Sequence, residues 1–421
     1  MANQLTFEQI GQEIQQARQK HKTPDLSGRD LRELDLSSKD LLGVKLANAD
    51  LRGSNLQAAN LQGSNLQGAR LDGVNLQQVD LRGADLQGAN LQGANLAGAN
   101  LLGSKLQKAN LKQANLQKAN LDKCELQKAN LDGAMLQETS FQGANLEGLD
   151  LHQLDLAATK LQGANLNEVN LLGVKLPGFD LSQVTLQGAN LEKANLQGAN
   201  LQNANLDKIT TFFSTKVTSL AGADLSGANL QSVELREADL SQAKLVGASL
   251  SQAQLQDAIL RGVDLHEVDL QQANLEGANL AGTDLRRANL QGSKLDRANL
   301  QGAQVQGANL QGVTLEDGNL QEADLEGANL QQASLLRASF RAANLYGAGL
   351  AGADLQEVDL QQANLQGANL FGADLSGASL HEADLRQVDL RLTCLKGARY
   401  SAQTQWSDDV KVPVVRGLVQ E

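Results

Sequence analysis

The chain has 421 residues, of which 41% are hydrophobic but only 2% aromatic, so its core has to be filled by Leu, Ala and Val rather than by rings. A formal net charge of −12, from 48 acidic and 36 basic side chains, disfavours general nucleic-acid binding, which needs basic surface against phosphates. No apolar run reaches the roughly 18 residues of a spanning helix, and MANQLTFEQIGQEI lacks the basic-then-apolar order of a secretory signal, so a soluble cytoplasmic protein is expected.

The first element in chain order is a helix. Thr6 with Gln9 reads as a capping box, and Leu5 with Ile10 as its hydrophobic staple. Phe7, Ile10, Ile14 and Ala17 then share one helical face, Lys20, His21 and Lys22 suit the negative helix end, and Pro24 stops it. Residues 1–24 are therefore expected to be a short N-terminal capping helix, lying over the repeats that begin at Leu26.

From Leu26 to Leu206 every fifth residue is Leu, with Phe141 the one exception, as in LQGANLQGANLAGANL at 86–101. After DKITTFFSTKVTSL (207–220) the same rule resumes in a shifted frame from Leu220 to Tyr400, with Val305 and Phe340 also replacing Leu. Two positions before each central residue the second run carries only small or β-branched residues; the first run is looser, with Arg29, Leu34, Lys39, Leu149, Leu154 and Phe179. A period of five matches neither a helical stripe nor strand alternation. A chain that turns a corner every five residues resolves it: the Leu and the small residue point inward, and the Gly two after Leu, as in Gly88 and Gly93, sits where a tight turn tolerates positive φ. Four corners close a square coil, so residues 20 apart stack. The expected fold class is an all-β solenoid.

On AnLqg at Ala89–Gly93 and AdLsg at Ala223–Gly227, the sequence resembles the pentapeptide-repeat family, whose pattern is A(D/N)LXX. The resemblance implies a right-handed quadrilateral β-helix, and the Gln-rich ladders, N-terminal helix and length are similar to cyanobacterial members. The expected organisation is a capping helix at 1–24, a first array at 25–208, an irregular junction at 209–222, a second array at 223–400 and a C-terminal cap or tail at 401–421. Leu206 and Leu225 are 19 residues apart, one short of a coil. The junction therefore reads as a distorted coil with Phe212 and Phe213 packed over its edge, or else as a hinge. At the far end Trp406 is expected to cover the last coil.

Converging groups of unlike type, which catalysis needs, are not evident. His21, His152, His266 and His381 are isolated, Cys124 replaces an inward Ala, Cys394 faces outward, and no phosphate-binding Gly-rich motif occurs. No catalytic, cofactor or metal residue is assigned, and the chain is not expected to be an enzyme.

Two surface features stand out instead. In a 20-residue coil Asp224, Asp264, Asp284, Asp324 and Asp384 fall in one column with Lys244, an acidic stripe fit for a cationic partner unless Asp and Asn are simply interchangeable there. Within KLQKANLKQANLQKANLDKCELQKAN (105–130), Lys108 and Lys128 stack while Lys112, Lys118 and Lys123 occupy other sides, which makes a basic belt. Outward apolar residues, among them Leu42, Leu102, Tyr346, Phe371 and Leu392, look scattered.

The expected function is that of a non-catalytic scaffold or regulator with rigid faces for an unidentified protein partner, without direct nucleic-acid or membrane binding. The alternative that the resemblance implies is a DNA-mimicking modulator or protector of DNA gyrase. Against it stand the lysine belt, the neutral Gln faces and the lack of an evident C-terminal dimerisation helix.

Overall fold

The computed structural model describes residues 6–210, 215–407 and 417–421. It divides into two compact units, Met1–Asn190 and Leu191–Glu421. The boundary falls ahead of the junction expected at 209–222.

The first unit opens with α1 (Phe7–Gln19). Thr6 caps it, taking the Gln9 N–H on its hydroxyl while Gln9 returns a side-chain acceptor to the Thr6 N–H, so two amides that a helix start leaves unpaired are satisfied. Ile10 and Ile14 are buried, whereas Phe7 stays 40% exposed. Leu5, the proposed staple partner, lies outside the described residues. The irregular inward positions of the first coil serve this helix: Lys39 lies over the Phe7 ring and Arg29 faces Glu13. Beside them, Arg18 pairs with Asp40 at 2.7 Å.

After α1 the unit is a stack of coils. Single-residue parallel bridges join positions 20 apart, from Asp25 with Lys45 to Asn170 with Asn190. Each side of a coil is built the same way. Leu66 donates its N–H to the carbonyl of Asp85 in the next coil, and its own carbonyl accepts the N–H of Ala69, closing a turn whose third residue, Gly68, has φ +64°. The Leu and the small residue fill the interior: Leu66, Ala69, Leu86 and Ala89 are fully buried. Burying the central Leu of each repeat in a chain with few rings gives a narrow core, in which Phe141 is the one fully buried aromatic among the described residues of this unit's repeats.

The second unit repeats the architecture, with bridges again at 20 from Ser219 with Asp239 to Ser379 with Arg399. Around the irregular segment the separation is 29: Asn195 pairs with Asp224, Asn200 with Asn229 and Asn205 with Glu234. Leu206 is therefore followed, at the next side, by Leu220, and nine residues are inserted between them. The insert carries an antiparallel hairpin of β1 (Ile209–Thr210) and β2 (Thr215–Lys216), with Ile209 opposite Lys216. Stacking thus passes across the insert within one unit; the packing expected of Phe212 and Phe213 lies outside the described residues. At the C-terminal end Asp384 bridges Gln405, and β3 (Arg399–Tyr400) pairs in parallel with β4 (Val419–Gln420). Residues after 400 thus supply further rungs of the stack, and Trp406 meets Tyr400 edge to face at 5.6 Å.

Candidate interaction surfaces

The residue before each Leu decides how a side meets solvent. Its Oδ1, when it is Asn or Asp, accepts the N–H two residues on, as Asn55 does from Gln57. Asn adds a second bond: Asn75 donates from Nδ2 to Asn55, and Asn55 to Asp35, at 3.0 and 3.1 Å. These ladders run one way, each amide giving to the coil before it. Asp, which cannot donate, fits at the head of a ladder.

Asp224, Lys244, Asp264, Asp284, Gln304, Asp324, Asn344, Asn364 and Asp384 form one continuous bridge ladder. Two of the five carboxylates of the stripe are neutralised in place. Arg286 and Arg386 each fork onto the Asp two residues earlier, with closest contacts of 2.5 Å to Asp284 and Asp384. These bonds hold both carboxyls below the ordinary value. The hydroxyl and N–H of Ser226 lower Asp224, with Lys244 adding to the effect. Asp324 instead accepts from Gln306 at 2.6 Å and Asn344 at 2.9 Å.

The same fork occurs at Asp30 with Arg32, Asp50 with Arg52, Asp80 with Arg82 and Asp389 with Arg391. All of these read D-L-R in the sequence. That three-letter signal was available, because residues on either side of an inward-pointing Leu share a side, yet column arithmetic over 20 residues does not find it.

The belt lysines sit at corners. Lys108, Lys118, Lys123 and Lys128 have φ of 58–62°, the left-handed conformation that Gly otherwise supplies. Among the described residues only Lys118 of these four forms an ion pair, with Glu138 at 3.8 Å. The belt is a set of protruding ammonium groups on several sides, with Lys108 and Lys128 in one column.

A third surface is not marked by any single column. On the side of the second unit that carries Leu270 through Leu370, no outward residue from Gln271 to Gly372 is charged. Gln271, Gln291 and Gln331 are exposed, and Asn329, Asn309 and Asn289 form a ladder at 3.1–3.2 Å. At its end Phe371 is 42% and Leu392 79% exposed, with Arg391 stacked over the Phe371 ring at 5.7 Å. These apolar residues occupy neighbouring columns of consecutive coils, so a search along single columns separates them. The first unit has a similar side from Ser37 to Gln117, carrying Gln57 and Gln77.

Chemistry elsewhere is sparse. Among the described residues no cluster of His, Cys, Asp and Glu could hold a metal ion, and no helix is long and apolar enough to cross a membrane. Cys124 is buried against Ser104 and the carbonyl of Leu101, and burial pushes its thiol up to about 11. His381 lies between Ser379 and Glu421, at 2.9 and 3.1 Å, where it ties the chain end to the stack.

The chain resembles HetL, a pentapeptide-repeat protein involved in heterocyst differentiation regulation from the cyanobacterium Nostoc sp. strain PCC 7120, at 32% identity over 62% of this chain and 96% of that one, with a TM-score of 0.28. It also resembles Rfr23 from the cyanobacterium Cyanothece 51142, at 31% identity over 26% and 90%, with a TM-score of 0.23. A third is AT2G44920 from the Arabidopsis thaliana thylakoid lumen, at 32% over 27% and 75%, with a TM-score of 0.21. No curated protein matches the chain. The family model for pentapeptide repeats (8 copies) matches in overlapping segments that together span 25–209, 218–312 and 319–391. With its five-residue sides and 20-residue coils, the chain belongs to the pentapeptide-repeat family, which implies a right-handed β-helix.

Proposed function

We propose that this protein is a non-catalytic interaction platform that binds a protein partner through its uncharged amide faces. The observation that carries the reading is the segregation of charge on the second unit. The side from Gln271 to Gly372 has none, while the next side bears Glu276, Asp296, Glu316 and Asp317. Interface centres are depleted of charge and enriched in aromatic residues and Arg, and Phe371 under Arg391 supplies both at the end of this side. A stack whose backbone is bonded coil to coil presents such a face with little ordering cost on binding. DNA mimicry asks for an unbroken run of unpaired carboxylates, and the Asp224–Asp384 ladder is interrupted by Lys244, Gln304, Asn344 and Asn364, with Asp284 and Asp384 paired to Arg286 and Arg386.

Affinity capture from native-host lysate tests the proposal with three variants beside the parent. One changes Gln291, Gln311 and Gln331 to Glu, one Asp264, Asp284 and Asp324 to Asn, and one Lys108, Lys123 and Lys128 to Gln. A partner lost only in the Gln variant supports the platform reading. Gyrase subunits recovered by the parent and lost in the Asp variant would replace it with DNA mimicry, and loss confined to the Lys variant would move the site to the belt.

A further inference from the structure

We infer that the uncharged side of the second unit from Gln271 to Gly372, together with the self-neutralised Asp389–Arg391 pair and Leu392 at its end, seats a second copy of this chain, face to face. The inference rests on the platform reading of the same side and names its occupant.

Gly349 is the first observation. It stands in the ladder position between Asn329 and Asn369, which holds a side chain in every other repeat of the two arrays. Its φ is not in the left-handed region, and a Cβ there would meet nothing nearer than Asn329 Oδ1 at 3.6 Å. Neither backbone conformation nor crowding inside the chain requires Gly. Together with Ala351 and Gly352 it leaves bare backbone on the outside, which is what close approach of another backbone needs.

Charge selects a second copy over a different partner. A two-fold pairing sets the same surface against itself, so any net charge on it is opposed by like charge. The side on which Glu276, Asp296, Glu316, Asp317, Asp354 and Glu357 outnumber Lys294, Arg297 and Arg337 is net acidic and would repel itself; the amide side would not. Amides are also self-complementary, since each carries both a donor and an acceptor. Their repeat is the coil spacing of about 4.8 Å, and a partner with that same rise matches every rung at once, as stacked Gln and Asn do in steric zippers.

Phe371 and Leu392 complete the face. Leu392 is 79% exposed at φ 60°, so it is both strained and wetted where a Gly would be neither. Covering it relieves the second cost. Seven coils of one side bury on the order of 1,000 Å² in total, the low end for specific association, so the pairing is reversible.

Sedimentation velocity on the full chain, from about 1 to about 300 µM, tests this by mass action. The expected result is a mass that rises toward twice the monomer for the parent. Gln311→Glu with Gln331→Glu, and separately Gly349→Arg, should each weaken association at least tenfold. Gln301→Glu with Gln321→Glu, on another side, should behave as the parent does, and unchanged melting of all variants excludes misfolding. A parent that stays monomeric throughout, or association that persists in both the Gln311/Gln331 and Gly349 variants, overturns the inference. If the parent is monomeric while the Gln variant still loses a lysate partner, only this inference falls and the platform reading stands.

Discussion

Asn344 donates from Nδ2 to Oδ1 of Asp324 at 2.9 Å, one coil back along the chain, and accepts in turn from Asn364 at 3.0 Å. Asn and Asp are therefore not equivalent at this position: Asp can begin a ladder but cannot continue one. Asn344→Asp would set two carboxylates face to face and remove a donor, and should cost about 1–3 kcal/mol. Asp324→Asn keeps the acceptor and should stay within about 0.5 kcal/mol. Urea unfolding midpoints of the two variants, compared at equal slope, check the asymmetry. Equal midpoints would show that the ladder has no direction.

The periodic part of this structure was legible because a repeat of Leu fixes which residues point inward and which stack. The Asp224 to Asp384 column followed from counting alone. Insertions are different, since a sequence shows only their total length. The 19 residues from Leu206 to Leu225 look like a coil one residue short, but the bridge from Asn205 to Glu234 makes the segment a normal side with nine residues added. Lateral relations were hidden for a similar reason. Arg286 neutralises Asp284 from two residues away, off any 20-residue column, and Gly349, though it stands in the column of Asn329 and Asn369, matters for what it lacks, which a column read for charge passes over.

Corner glycines and Gly349 should respond oppositely to one added methyl. Gly312 has φ 65° with nothing near its would-be Cβ, so Gly312→Ala introduces only left-handed strain, about 1–2 kcal/mol. Gly349→Ala has no such strain and loses unfolded-chain freedom, which should stabilise by about 0.4–1 kcal/mol. Thermal unfolding at low protein concentration separates them. A destabilised Gly349→Ala would mean that the interior, not an outside surface, requires the glycine.

Ala288 and Leu285 are fully buried, while Arg286 between them faces solvent and forks onto Asp284. Ala288→Arg should destabilise by about 3–5 kcal/mol by burying an unpaired charge, and Leu285→Ala by about 2–5 kcal/mol through the cavity it leaves. Arg286→Ala removes an exposed ion pair and should cost no more than about 1 kcal/mol. An Ala288→Arg protein that melts with the parent would sink the inward register assigned to that side.

The forks also set the response to acid. Hydrogen bonds from Arg391 and Arg32 hold the carboxyls of Asp389 and Asp30 at about 2, against an ordinary 3.8. Because these pKa values are lowered on folding, the forks' contribution is complete above about 4 and is lost as pH falls toward about 2. Both pairs are exposed, so the loss should be a shallow decline rather than a sharp collapse. A carboxyl-carbon NMR titration should find Asp389 protonating near the lower value in the parent and near the ordinary value in Arg391→Gln. If Asp389 titrated alike in both proteins, the fork would be absent in solution, and the D-L-R triplets would leave the acidic charge of this surface open to solvent.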